Sequence, residues 1–132
     1  MMKLLLDTNV LLRAIGATGR LNRRCLRLLE DRSNSLFLSA ASVWEVVIKH
    51  SLGRLDLPGP PIRWLPDRIR LLGIQTLDVT PAHAFALADL PPSHRDLFDR
   101  MLVAQANAEQ LTLLTTDPIF HSYPVHVVLC GK

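Results

Sequence analysis

Four short segments of this chain carry a carboxylate that their surroundings do not call for. They are Leu4-Leu5-Leu6-Asp7-Thr8-Asn9, Ser42-Val43-Trp44-Glu45, His94-Arg95-Asp96-Leu97-Phe98-Asp99-Arg100 and Leu113-Leu114-Thr115-Thr116-Asp117. Asp7 and Asp117 each stand just past a short, wholly apolar run. In an open parallel α/β sheet the carboxyl ends of the strands line the ligand crevice. Acids converging there would hold a hard cation, and a hard cation with open positions suits phosphodiester hydrolysis.

Each acid has a second, purely structural reading. Asp7 precedes a helix pattern, and Asp, Thr and Asn are all good helix caps. Glu45 lies in a helix that is apolar at Val43, Trp44, Val46, Val47 and Ile48, with a polar stripe of Ser42, Glu45 and Lys49. A carboxylate buried on such a helix must be paired or bind metal, so Glu45 is either a ligand or the partner of Lys49 one turn on. Asp96 suits the cap of its helix, and Asp99 falls in the first turn, where the helix dipole favours an anion. Asp99 rises from the crevice end of the core helix carrying Met101, Leu102 and Val103, so it is assigned as the ligand and Asp96 as the cap, with Asp96 the runner-up. Asp117 precedes Pro118 and either caps a short helix or ends a buried strand at the crevice.

Positioning these acids takes alternating elements. Strands are expected at Lys3–Leu6, Ser35–Leu38, Ile74–Val79, Leu111–Leu114 and Val125–Leu129. Helices are expected at Asn9–Ile15, Asn22–Asp31, Ala40–Leu52, Ile62–Leu72, Pro81–Leu90, Asp96 to about Gln110, and Pro118–His121. Leu21, Cys25, Leu28 and Leu29 share one helical face. Gly53 ends one helix, Pro58-Gly59-Pro60-Pro61 is a rigid loop, and Pro66 begins or bends the next helix. The alternation argues for an α/β fold with a parallel sheet covered on both faces. No repeat or linker divides the chain, so residues 1–132 are expected to form a single domain.

Composition narrows the class. The chain has 132 residues, 48% of them hydrophobic and 20% charged, a profile of a compact globule. No apolar run is long enough to span a membrane, and Met1-Met2-Lys3 leads straight into a strand, so a cytoplasmic location is expected. Fifteen Lys and Arg stand against twelve Asp and Glu; neutralising the site acids with a cation leaves a basic molecule, suited to a polyanion. Arg20, Arg23, Arg24 and Arg27 cluster at one helix, either as a solvated face or as a contact for phosphates or an acidic partner segment, with Arg54 after the Gly53 turn. Cys25 reads as a small apolar residue and Cys130 as a tail residue, without a disulfide. The five histidines show no zinc spacing, and His94 reads as structural. Trp44 and Trp64 read as core or interface residues.

Taken together, Leu6-Asp7-Thr8-Asn9, Ser39 to Val46, Ser51 to Leu55, His94 to Ala106 and Leu114-Thr115-Thr116-Asp117 resemble the PIN-domain proteins. The resemblance is closest to VapC-type ribonuclease toxins of type II toxin–antitoxin pairs and covers essentially the whole chain. It implies a three-layer α/β/α sandwich with a mostly parallel, about five-stranded sheet. It implies an endoribonuclease dependent on Mg²⁺ or Mn²⁺, an RNA substrate, a small cognate antitoxin and a homodimer. The family's acids fall on Asp7, Glu45, Asp99 and Asp117. Asn9 stands where relatives often carry His, and Leu97 where Pro often follows the acid; neither change removes a carboxylate.

On this reading Asp7 and Asp99 bind the principal ion directly, with Glu45 and Asp117 completing the site and Thr8, Asn9 and Thr116 assisting nearby or at the substrate. The ion activates a water for attack on the phosphodiester. The loop from Pro58 and the helix bearing Trp64 would offer an apolar groove to an antitoxin helix. The rival within the same fold is a catalytically inactive module that binds RNA or protein. A phosphorylated receiver domain is disfavoured because the only lysine after Lys49 is Lys132.

Overall fold

The computed structural model describes residues 1–92 and 96–131. His94, expected to be structural, and Lys132 lie outside the described residues, as do Ser93 and Arg95. The strands are β1 (Lys3–Leu6), β2 (Ser35–Ser39), β3 (Ile74–Leu77), β4 (Thr112–Thr115) and β5 (Val127–Leu129). The helices are α1 (Thr8–Ala14), α2 (Arg23–Glu30), α3 (Ala40–Ser51), α4 (Pro61–Leu71), α5 (Pro81–Ala86) and α6 (Leu97–Glu109). Two 3₁₀ segments, Leu87–Asp89 and Pro118–Ser122, complete the order.

The sheet is parallel throughout, in the order β3-β2-β1-β4-β5. Leu4, Leu5 and Leu6 of the central strand are sealed from solvent, as a strand covered on both faces requires. Leu4 and Leu6, with Leu36, Leu38 and Leu114, pack with Val10, Leu11, Cys25, Val46 and Leu65 of α1 to α4. Leu5 and Leu113 face the other way, against Leu102, Val103 and Ala106 of α6 and Phe120 of the second 3₁₀ segment. Helices therefore cover both faces, and the expected three-layer sandwich is formed. The chain leaves β1 toward β2 and β3, then returns to add β4 and β5 on its other side. The topological switch point thus lies between β1 and β4, directly after Leu6 and Leu114.

The boundaries depart from expectation where hydrogen bonds intervene. β4 starts one residue late because Leu111 N–H still bonds the Ala106 carbonyl (2.7 Å), after Gln110 turns into the left-handed region at φ 56°. β5 starts late because Val125 N–H is held by the Tyr123 carbonyl (2.8 Å). Pro61, not Pro66, starts α4, and Pro66 sits inside it. β3 stops at Leu77; the next carbonyl, of Asp78, faces the Gln105 amide of α6 (3.3 Å).

The cysteines correct the sequence reading. Cys25 of α2 and Cys130, just after β5, form a disulfide with both residues fully buried. Asn22 sets this geometry: its amide donates to the Leu129 carbonyl (2.9 Å) and its backbone N–H to the Cys130 carbonyl (2.9 Å), while its side-chain oxygen caps α2 at Cys25 N–H. A separation of 105 residues gives no local signal of such a pairing.

Candidate active site

Asp7 occupies the N-cap position of α1, yet its side chain makes no capping hydrogen bond of good geometry. Instead its Oδ2 accepts from the Thr115 hydroxyl at 2.6 Å, across the switch point. Asp7 is only 4% exposed. Burial raises its carboxyl above the ordinary range, the Thr115 hydroxyl and nearby backbone amides oppose this, and the negative charge of Glu45 adds to the rise.

Glu45 reaches the same place from α3, and its helix is buried at Ala41, Ser42, Glu45 and Val46. Thr8 donates to Glu45 Oε1 (2.6 Å), and Lys49 Nζ stands 2.6 Å from Oε2. The ion pair within α3, one of the two sequence readings of Glu45, is therefore present. Burial by itself would lower the Lys49 ammonium; hydrogen bonding to Glu45 and its charge, with Asp96 and Asp7 beyond, raise it overall. Lys49 thus takes part in the electrostatics of the acids. One turn before Glu45, the Ser42 hydroxyl is buried with no hydrogen-bond partner among the described residues.

Asp96 caps α6, its Oδ1 accepting from Asp99 N–H (3.1 Å), and it lies near enough to Lys49 to stabilise the ammonium. Asp99 is half-buried in the first turn of α6. Asp117 is exposed and caps the 3₁₀ segment, its Oδ1 accepting from Ile119 N–H (3.0 Å), while its own N–H donates to Thr115 Oγ1 (3.1 Å). Asn9 is exposed, and Thr116 lies against Gly131.

Asp7 and Glu45 are in mutual electrostatic contact, each carboxylate within reach of the other's charge. Among the described residues, no group of three or more His, Cys, Asp or Glu is placed to hold a metal ion. Two carboxylates still fit Mg²⁺ or Mn²⁺: small hard cations take oxygen donors, keep several waters, and are commonly held by one or two carboxylates together with substrate phosphate. The unpartnered Ser42 hydroxyl adds an oxygen on the Glu45 face of α3.

Sequence reasoning missed Thr115 and chose its neighbour Thr116. The signal is the parallel register, Leu6 with Leu114, which puts the next residues, Asp7 and Thr115, side by side. Of the two roles expected for Trp44, core or interface, its 62% exposure excludes the core. Its ring meets Phe98 edge-on at 5.2 Å, beside an apolar cavity of about 620 Å³ lined by Ala40, Val79, Leu87 and Leu97. Trp64 is partly buried on the core and donates to the Gly59 carbonyl (3.2 Å). The expected groove near it is narrow, about 100 Å³ between α3 and α4, lined by Val47, Ile62 and Leu65.

The fold and the acids define a parallel α/β protein with two buried carboxylates, Asp7 and Glu45, at its switch point. Residues 4–125 match the family described as PIN domain, and the chain belongs to that family. It is 45% identical over 56 residues to Ribonuclease VapC16 of Mycobacterium tuberculosis (strain ATCC 25618 / H37Rv), a match covering 42% of this chain and 40% of that relative's length. Among solved structures it is similar to VapBC2 from Rickettsia felis bound to a promoter DNA fragment (TM-score 0.74, 20% identity, 98% of this chain and 100% of that one). It is also similar to FitAcB from Neisseria gonorrhoeae (TM-score 0.64, 25% identity, 94% of this chain and 95% of that one). Among the described residues, no helix is long and apolar enough to cross a membrane.

Proposed function

We propose that the chain is a single-domain, divalent-metal-dependent endoribonuclease, the toxin of a toxin–antitoxin pair, acting in the cytoplasm. The observation that carries the reading is the buried, mutually repelling pair Asp7 and Glu45 at the switch point of a PIN-domain sheet. Two buried carboxylates call for a compensating cation, and Lys49 compensates only one of them directly. Membership of the family and the relative named as a ribonuclease support the choice of RNA.

In this proposal Asp7 and Glu45 hold Mg²⁺ or Mn²⁺, with Asp99 and Asp117 entering from the start of α6 and the end of β4. Bound there, the ion supplies a water of lowered pKa and neutralises charge on the phosphate. Thr115 and Thr8 fix the two carboxylates by hydrogen bonds, so little reorganisation is needed when the ion and substrate arrive. Asp96 keeps α6 in place by capping it. The partner proposed is a small antitoxin, by analogy with the VapBC and FitAcB assemblies, and the homodimer that the family resemblance implies is part of the same proposal.

A specific observation favours the rival, a metal-free binding module. Both oxygens of Glu45 are already engaged by Thr8 and Lys49. Incubating total small RNA with wild type, Asp99→Asn and Asp96→Asn, each with Mg²⁺, Mn²⁺ or EDTA, separates the two. Discrete metal-dependent cuts, lost in Asp99→Asn and kept in Asp96→Asn, are expected; RNA retention without cuts under every metal would leave the binding module.

A further inference from the structure

A second feature lies beside the crevice and takes no part in holding the acids. The end of α1, the loop 15–22 and the start of α2 enclose a groove of about 600 Å³ lined by Arg13, Gly16, Thr18, Gly19, Arg20 and Arg23. No Asp or Glu among the described residues lines it. Among the described residues, Arg13, Arg20, Arg23 and Arg24 form no ion pair with any carboxylate. The acids of this segment, Glu30 and Asp31, stand at the far end of α2, about 10 Å along its axis.

Arg13 is held in position. One of its guanidinium nitrogens donates to the Arg20 carbonyl at 2.9 Å, and the group packs over Gly19, where an added Cβ would stand 3.4 Å from it. A guanidinium carries five N–H donors, so most remain for a ligand. The exposed Arg20 and Arg23 complete a concave basic surface.

The groove is tied to the acids through short stretches of chain. Arg13 lies in the last turn of the helix that starts at Asp7, about 9 Å along it. Arg23 follows Asn22, which is bonded to Leu129 and Cys130 at the carboxyl end of β5. Cys130 N–H in turn donates to the carbonyl of Thr115 (2.7 Å), the residue whose hydroxyl holds Asp7. Two strand spacings, about 10 Å, separate β5, to which Asn22 is bonded, from β1 in the sheet.

We propose that the Arg13–Arg20–Arg23 groove binds the phosphate backbone of single-stranded RNA beside the scissile bond. The choice of RNA rests on the ribonuclease reading; the site itself rests on guanidiniums without carboxylate partners among the described residues, gathered in a concave surface at the end of the helix that Asp7 begins. Guanidiniums suit phosphate because their fork geometry matches its oxygens. These contacts position the strand without reading its sequence.

The test is fluorescence anisotropy with a labelled single-stranded RNA of mixed sequence in EDTA, across a KCl series. Wild type, Arg20→Ala/Arg23→Ala and Arg63→Ala/Arg68→Ala are compared. The last pair removes the same charge from α4, which packs over β3 at the opposite edge of the sheet. All four side chains are exposed, and thermal melts check that each variant folds. The groove variant should bind roughly ten-fold more weakly near 0.1 M salt, its log–log salt slope flatter by about 1.4 for two lost single-strand phosphate contacts. The α4 variant should match wild type.

Equal weakening in both variants would make the effect one of net charge and overturn the proposal. So would wild-type RNA affinity in the groove variant, most directly if that variant lost affinity for polyglutamate, which would make the groove a seat for an acidic protein segment. Absence of RNA binding by wild type would overturn it as well. Cleavage in Mg²⁺, scored separately, distinguishes the two readings. Arginine-dependent binding without cleavage leaves the groove and removes the nuclease; cleavage indifferent to Arg20 and Arg23 does the reverse.

Discussion

The Thr115 hydroxyl of β4 donates to Asp7 Oδ2 after β1, a 2.6 Å hydrogen bond between residues 108 apart in sequence. It spans the switch point and is buried, so it fixes the carboxylate in one orientation. The same oxygen accepts Asp117 N–H, tying the start of the 3₁₀ segment to the site. Thr115→Val keeps the shape and removes the donor. Cleavage or metal affinity is expected to fall by about 10- to 100-fold, the usual cost of losing such a supporting bond. The acidic limb of the pH–rate profile should also move up, because this bond opposes the raised Asp7 pKa. Thr115→Ser should recover most of both effects; a serine variant as impaired as the valine one would refute the role of the hydroxyl.

Asp7 predicts opposite effects on stability and activity. Burial raises its folded pKa above the ordinary aspartate value of 3.8, so the folded state holds the proton more tightly. Its contribution to stability is therefore complete below that value and is lost as pH climbs through the raised one. Above the raised value and without metal, the ionised, buried carboxylate costs stability. Asp7→Asn should melt in EDTA at or above the wild-type temperature at pH 7.5, with a flatter dependence on pH above about 4, and should lose metal-dependent cleavage. A variant melting far below wild type in EDTA would make Asp7 a structural residue first.

Much of this architecture was legible because the signals were local. Three consecutive leucines before Asp7 read as a strand buried on both faces, which they form, and the Ser42, Glu45, Lys49 stripe on an apolar helix located the inward polar face of α3. What escaped was set by tertiary register. Thr115, rather than Thr116, adjoins Asp7 because β4 begins at Thr112, and that start depends on how α6 ends at Gln110. Helical spacing put Trp44 among apolar neighbours, but it could not show that the groove beside it stays open. Cap and ligand readings of Asp96 and Asp117 could not be separated from sequence, since both roles favour the first residue of a helix at the sheet's edge; both side chains do cap.

Glu45 and Lys49 give a prediction in which one cation replaces another. The ammonium stands 2.6 Å from a carboxylate that is only 8% exposed, while its own side chain is 43% exposed. Lys49→Met leaves Glu45 with Thr8 alone, between the costs of breaking an exposed and a buried pair, about 1–3 kcal/mol in metal-free protein. The same change removes a positive charge that competes with an incoming ion. The rise in melting temperature on adding Mg²⁺ after EDTA should therefore be larger in the variant than in wild type. A smaller rise would mean that Lys49 helps to build the metal site rather than standing in for the metal.

The disulfide yields the last prediction. Cys25–Cys130 closes a loop of 105 residues, joining α2 to the chain just after β5. A loop of that length removes conformational entropy from the unfolded chain worth up to about 4–5 kcal/mol. Cys130 N–H also bonds the Thr115 carbonyl, so the strand edge nearest Asp7 is held by the same residue. Denatured, unreduced protein should show no thiols to a chromogenic disulfide reagent, and two after reduction. Dithiothreitol, or Cys25→Ser/Cys130→Ser, should lower the unfolding midpoint in urea. Cleavage at 25 °C should change little, because Asn22 still clamps Leu129 and Cys130 through bonds that need no sulfur. Two free thiols in protein purified under air would show the pair to be a packed dithiol, and the midpoint should then be indifferent to the reductant.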